Sequence, residues 1–435
     1  MRMRRATDGG GAAVHVRSAV ARAGIAGALV AGTVLAAWSG TSGAAQAHHK
    51  KKLGSPVVVG ASLSLSGDFS TDGQAFDRGY HLWQAWQNAH GGLLGHKIVL
   101  KILSDKSTPT QAATNYNTLI SSDHAKLTIG PFSSLLTVPS AKAAHRHGYA
   151  LVEGAGGAPA VFKTGLNNVF DVSYPVATGL KPFCEWVASM PKGTRPKTVA
   201  YATVTTIFEA TQFPIAKRIL GKAGVRTVYT KTFPTETTDF TPIASGVVGS
   251  HATIVILGDT AVSTVSSFMS SFEAAHFNPK AIIATSGPDQ GAAFLSAVGT
   301  ANAIGVMVEG GWYPGFASKS SHALVQRYVK KYGGTASGVN ADVAEAFSVG
   351  EVLTQAVKAT HGFTNQKIIH YLHSNKTFSS VQGPVKFDKA GENVKGLNFA
   401  FQWLTKTGTP TFAQVLPTTA KGSVTPLYPK PSWGS

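Results

Sequence analysis

Four short stretches of this chain place polar or aromatic groups where a strand ends, and together they offer capture chemistry rather than bond-breaking chemistry. The first is Leu127-Thr128-Ile129-Gly130-Pro131-Phe132-Ser133-Ser134, an apolar run that breaks into two hydroxyls. Hydroxyls and free backbone N–H groups at the start of a helix suit a carboxylate or another anion. The same residues also make an ordinary helix cap. The second is Glu153-Gly154-Ala155-Gly156-Gly157, whose glycines let backbone groups approach a ligand closely or simply form a loose loop. The third, Gly287-Pro288-Asp289-Gln290-Gly291, sets a carboxylate just past an apolar run. Asp289 there can pair with a ligand ammonium or sit in a plain Pro-Gly turn. The fourth is aromatic: Phe208, Trp312 and Tyr313 follow strand-like runs and can wall a cleft or merely pack.

Catalytic constellations are missing from the sequence. Pro159 interrupts the G-x-G-x-x-G spacing begun at Gly154, and Gly221-Lys222 lacks the earlier glycine of a phosphate-binding loop. There is no G-x-S-x-G elbow and no H-E-x-x-H helix. His145 and His147, two apart on a helix, face away from each other and read as surface residues. Cys184, the single cysteine, sits between Phe183 and Trp186 and reads as buried and inert. The expectation is a binding protein with no catalytic residue, no metal and no cofactor.

The elements that must position these groups alternate in kind. Pro56–Ser62 reads as a strand, Thr71–His90 as a helix ended by Gly91-Gly92, and His96–Ser104 as a strand again. Helices around Thr110–Ser122 and Val138–His147 alternate with strands at Leu127–Gly130 and Ala150–Glu153. Beyond Val169–Pro175 a second series begins. Helices at Leu180–Ser189, Thr211–Lys222 and Val262–His276 are interleaved with strands at Thr198–Ala202, Val225–Phe233, Thr253–Leu257 and Ala281–Ala284. Val306–Glu309 reads as a crossover strand. Helices at Asp342–Thr360 and Gln366–His373, then strands around Val385–Phe387 and Leu397–Leu404, close the pattern. Strands alternating with helices of this length imply parallel βαβ units. The fold class is α/β, with two similar lobes, each a mainly parallel sheet flanked by helices.

The chain has 435 residues, 43% of them hydrophobic, enough for two cored lobes. Arg2, Arg4, Arg5, Arg17 and Arg22 precede the apolar stretch Ile25–Trp38, and Ala45-Gln46-Ala47 offers a small-residue cleavage site. Residues 1–47 therefore read as a secretory signal peptide, too short in their apolar part to span a bilayer. Without a cysteine near the cleavage point, no lipid anchor is expected. Removal of residues 1–47 leaves 34 basic and 20 acidic residues, +14. His48-His49-Lys50-Lys51-Lys52 is a solvated basic stretch. Further lysines are scattered, which argues against nucleic acid and leaves at most an attraction to an anionic envelope surface.

From about Pro56 to Thr405 the chain resembles the type I periplasmic substrate-binding proteins of the branched-chain amino-acid family. The resemblance rests on the order and spacing of several stretches: Gly60-Ala61-Ser62-Leu63-Ser64-Leu65-Ser66-Gly67 with Gly73; Asn88 to Ile98 around Gly91-Gly92; Asp105 to Ala113; Ile129 to Ser134; Gly148 to Gly157; and Gly383-Pro384-Val385-Lys386-Phe387-Asp388 with Gly391. It implies lobes joined by crossover strands, with residues 56–175 plus 309–380 in the first lobe and 176–308 plus 381–416 in the second. A basic linker at 48–55 and a Pro-rich tail at 417–435 flank them. It implies that the loop of Ser133 and Ser134 and the backbone of Ala155 hold a ligand carboxylate, that Asp289 meets its ammonium, and that Phe208 is an aromatic residue of the second lobe; Gly156, Gly157, Trp312 and the carboxylate of Asp72 join them as candidate binding residues from their own chemistry. Two positions depart from the family: Gly157 stands where a threonine hydroxyl is usual, and Asp72 near where an aromatic residue is usual. The implied function is capture of an amino acid or a related amide or acid outside the cytoplasmic membrane, by a monomer that delivers it to an ABC permease. The alternative is a ligand sensor that signals to a receptor or regulator.

Overall fold

The computed structural model describes residues 53–259 and 261–435. The signal peptide expected at 1–47, and residues 48–52 of the basic linker, lie outside the described residues. The first sheet comprises β1 (Gly54–Leu63), β2 (His96–Ser104), β3 (Leu127–Ile129), β4 (Leu151–Glu153) and β5 (Val169–Asp171). Its order is β2-β1-β3-β4-β5 and every pairing is parallel. Parallel strands need helical crossovers, which cover both faces and bury them. Along β1 the side chains alternate accordingly: Val57, Val59, Ala61 and Leu63 enter one apolar layer, and Val58 packs against the other.

The second sheet comprises β6 (Thr198–Val204), β7 (Arg226–Phe233), β8 (Ile254–Gly258), β9 (Ala281–Ala284) and β10 (Met307–Gly310). After β11 (Phe378–Ser380) and β12 (Gly383–Val385), which form a small hairpin, β13 (Phe399–Lys406) and β14 (Thr409–Leu416) complete it. The order is β14-β13-β10-β9-β8-β6-β7; β13 runs antiparallel to both its neighbours and the other pairings are parallel. Two further apolar layers sandwich this sheet, so each lobe has its own core.

Among the described residues the chain passes between the sheets three times, near 172–180, 311–318 and 388–398. The last passage comes later than expected. Val381, Val385 and Phe387 pack into the first lobe's core, because the long helix Ala341–Thr360 offers them an apolar face, and the second sheet resumes only at Phe399. The passages are laced together. Asn393 Nδ2 donates to the Val172 and Ser173 carbonyls at 3.1 and 2.9 Å. Residues 417–435 are likewise packed, with Trp433 donating to the Phe277 carbonyl and the Tyr428 ring set edge-on against Trp186.

Helix Ser70–Ala89 crosses helix Ala341–Thr360 at very short range. A methyl at Gly79 would come within 2.5 Å of the Val343 carbonyl, and one at Gly350 within 2.2 Å of the Trp83 indole. Close backbone approach therefore fixes how this helix pair seats on the first sheet. The first turn of one helix and the first turn of the other end at the same place, facing the second lobe.

Candidate functional site

A cavity of about 800 Å³, including its space open to solvent, lies where the carboxyl ends of both sheets meet. That is the place where open α/β sheets bind ligands, and the size suits a small molecule. Of the nine residues expected at the site, Ser133, Ser134, Ala155, Gly157, Phe208, Asp289 and Trp312 line it. Gly156 and Asp72 do not. Gly156 is turned inward, its N–H donating to Glu153 Oε2 at 2.5 Å. Asp72 is buried behind the wall and accepts from Gln290 Nε2 at 2.5 Å. The aromatic residue at this edge is instead Phe69, set edge-to-face against Phe132 at 5.7 Å.

The first-lobe wall is built from two loops. Helix Ser134–Arg146 begins at the cavity, four residues earlier than its apolar periodicity suggested, so Ser133 is its N-cap. Ser133 has φ +74, a conformation that costs a non-glycine residue, and its buried Oγ meets no partner. Ser134 Oγ accepts from Ala158 N at 3.1 Å, which ties the loop after β3 to the loop after β4 and leaves the hydroxyl proton to donate. At Gly157 a methyl would come within 2.6 Å of Val176 Cγ2 and 2.8 Å of Asp171 Oδ2. A threonine has no room there, which accounts for that departure from the family pattern.

The second-lobe wall comes from the loops after β6, β9 and β10. Thr206 caps helix Ile207–Lys222, accepting from Phe208 N at 3.3 Å, and its hydroxyl donates to Glu209 Oε2. Asp289 is partly exposed to the cavity, and its Oδ1 accepts from Ser286 Oγ at 3.1 Å. Trp312 is almost fully buried, with its indole N–H donating to Ser321 Oγ at 2.9 Å so that the ring forms the wall. Gln290 crosses between the lobes. Its amide nitrogen donates to Asp72 Oδ1 and to Asp342 Oδ2 at 3.1 Å, and its oxygen accepts from Asn340.

The expected site missed the carboxyls that dominate the cavity. Glu209, Glu309, Asp342 and Glu345 line it beside Asp289, along with Tyr174 and Phe401. Three signals were available. Thr206-Ile207-Phe208-Glu209 is a capping-box spacing, and Glu309 ends a strand of the second sheet. Asp342 and Glu345 are three apart at the start of one helix and so share a face. No signal of adjacency joined the four, because they come from different lobes.

Burial pushes Asp289 up to about 6, Asp342 to about 7 and Glu309 to about 8. Burial and then the charge of Asp171 hold Glu153 well above the carboxylate range; burial and then the charge of Asp259 do so for Glu209. In an unfolded chain such acids titrate near ~4. Between about pH 4 and 8 the folded protein therefore holds more protons than the unfolded chain, and stability falls as pH rises through that window. The ligand-free protein is expected to melt at a higher temperature at pH 5 than at pH 8. Thermal melts across this range check it, and a melting temperature that climbs toward pH 8 would contradict the shifts.

Among the described residues no cluster has the makings of a metal site, and no helix is long and apolar enough to cross a membrane. The family model described as periplasmic binding protein matches residues 56–408. A Leu/Ile/Val-binding protein homolog of Brucella abortus is 25% identical over 386 residues, covering 83% of this chain and 91% of the relative. Two solved structures share the fold. The leucine-binding protein of Thermotoga maritima superposes with a TM-score of 0.71 at 18% identity, covering 84% of this chain and all of that one. A solute-binding protein of an ABC transporter from R. palustris, in complex with 4-hydroxybenzoate, gives 0.73 at 17% identity, covering 87% of this chain and 99% of that one.

Proposed function

The chain belongs to the periplasmic binding protein family, and from that membership we propose that it captures a small polar molecule, an amino acid or a related amide or acid, between its two lobes. It acts outside the cytoplasmic membrane as a monomer and delivers the ligand to an ABC permease. The observation that carries the reading is the cavity itself, which both lobes line at the carboxyl ends of their sheets.

In this reading the first lobe holds an acceptor end of the ligand through Ser134, the N-terminal N–H groups of helix Ser134–Arg146 and the backbone of Ala155. Asp289 of the second lobe meets an amine, and Phe208 and Trp312 pack against the ligand's body. The lobes close through contacts made only when they meet, and the Gln290 bridge to Asp72 and Asp342 is one such contact. A ligand favours the closed form only as far as it binds that form better. Micromolar affinity corresponds to about 8 kcal/mol. Relatives fit this reading: the Brucella protein carries the name of a branched-chain amino-acid binder, and the R. palustris protein holds an aromatic acid.

Calorimetric titration with L-leucine, L-arginine, acetamide and 4-hydroxybenzoate tests it. The expected result is one saturable site per chain for at least one probe, with the probe recovered unchanged. Conversion of the bound probe by purified protein would overturn the reading as a carrier.

A further inference from the structure

The cavity wall contains five carboxyls and no lysine, arginine or histidine. This is not a general property of the molecule, which has 39 lysines and arginines against 21 acids. Eight of those acids gather at or just behind this cavity: Asp72, Glu153, Asp171, Glu209, Asp289, Glu309, Asp342 and Glu345. The three ion pairs found among the described residues lie elsewhere. A buried carboxylate is costly unless a cation or a set of hydrogen bonds compensates it.

Some of these acids are compensated from within the protein. Glu153 accepts two backbone N–H bonds, and Asp72 and Asp342 share the Gln290 amide. Two in the second lobe are less well served. Glu209 is fully buried and lines the cavity, and although the Thr206 hydroxyl satisfies Oε2, its Oε1 meets no partner. Glu309 is 2% exposed and has only neutral donors about it: Gln212 Nε2, 3.1 Å from Oε1, and the Tyr174 hydroxyl, which also faces this carboxyl. The two share one neighbourhood, because Gln212, the donor to Glu309, lies one helical turn beyond Glu209 on the same helix. Phe208, Tyr174, Trp312 and Phe401 line the same space, and aromatic faces attract cations.

We infer that the ligand is an organic cation, with an ammonium or guanidinium group seated at Glu209 and Glu309 in addition to any amine met by Asp289. The inference rests on the capture reading above and narrows its ligand class. An apolar side chain or a carboxylate at this place would leave the Glu209 oxygen unpaired, and a neutral hydroxyl or amide would pair it without adding a charge to offset the buried acids. A cationic group supplies N–H donors to both glutamates and favours their ionised form, which burial alone disfavours. Basic amino acids, diamines and guanidines carry that chemistry.

Titration of the full protein with L-arginine, putrescine, L-leucine and 4-hydroxybenzoate, repeated with Glu209→Gln and Glu309→Gln, tests the inference. Arginine or putrescine is expected to bind at least tenfold more tightly than leucine and 4-hydroxybenzoate. Each Gln variant is expected to weaken that probe tenfold or more while melting no lower than the parent at pH 8, since each removes a buried acid without changing shape. Tighter binding of leucine or 4-hydroxybenzoate would overturn the inference and leave the capture reading standing. Cation binding unchanged in both Gln variants would place the cation elsewhere and likewise overturn it. Silence from all four probes would count against both.

Discussion

Asp289→Asn is expected to lower the affinity for an amine-bearing ligand by tenfold or more. The substitution keeps the size of the side chain and an acceptor for the Ser286 hydroxyl, so the loop after β9 has no reason to move. It removes only the charge. At a few ångströms, in surroundings less polar than water, a single ion pair is worth several kcal/mol before desolvation is subtracted, and tenfold in affinity is about 1.4 kcal/mol. The charge of Asp289 also raises Asp72, Asp342 and Glu345. The variant should therefore lose affinity and, without ligand, gain stability at pH 8. Calorimetry and thermal melts read the two effects separately. Unchanged calorimetric affinity would remove Asp289 from the ammonium role.

The largest expected effect on stability comes from Trp83→Ala, at about 3–5 kcal/mol, the range for deleting a large buried aromatic side chain. Trp83 is fully buried, its ring lies against Gly350 so closely that a methyl there has no space, and its indole N–H donates to Thr354 Oγ1 at 3.1 Å. Truncation opens a cavity at the crossing of helices Ser70–Ala89 and Ala341–Thr360. Those helices carry Asp72 and Asp342, which hold Gln290 of the other lobe. Loss of the seat thus loosens a bridge between the lobes as well as a core. Urea unfolding monitored by circular dichroism gives the magnitude, and a loss below about 1 kcal/mol would show that the crossing relaxes around the gap.

The alternation of strands and helices was legible in the sequence because parallel strands are short, β-branched and bounded by glycines, and because helix Ser70–Ala89 has a clear apolar stripe. Elements that depend on tertiary contacts were not. Helix Thr241–Gly249 contains two glycines and two valines, weak helix formers, and is held by Ile243, Ala244 and Val247 in the second core. Strand β14, which the pattern of strands did not include, carries Pro410, tolerated because it lies at the sheet edge. Helix Ile207–Lys222 starts four residues before its periodicity, inside the turn that carries Phe208 and Glu209.

The candidate site divides in the same way. The loop at Ile129–Ser134 was legible as a strand end with hydroxyls, and the fold sets it on the cavity wall. The acidic character of that cavity was hidden, because Glu209, Asp289, Glu309, Asp342 and Glu345 are spread over 137 positions and converge only when two lobes face each other. Gly157 and Asp72, read as departures from a family pattern, acquire physical reasons: crowding by Val176 and Asp171 at the first, and the grip on Gln290 at the second.

The account stands on the claim that one small molecule binds between the lobes. Its most direct test is calorimetric titration of the tightest-binding probe against the parent protein and against Ala155→Trp, which fills the cavity from a residue on its wall. The account predicts one site per chain in the parent and no measurable heat of binding in a variant that retains its secondary structure and a cooperative melt. Equal affinity and stoichiometry in the two proteins would place the ligand outside the cavity and contradict the claim.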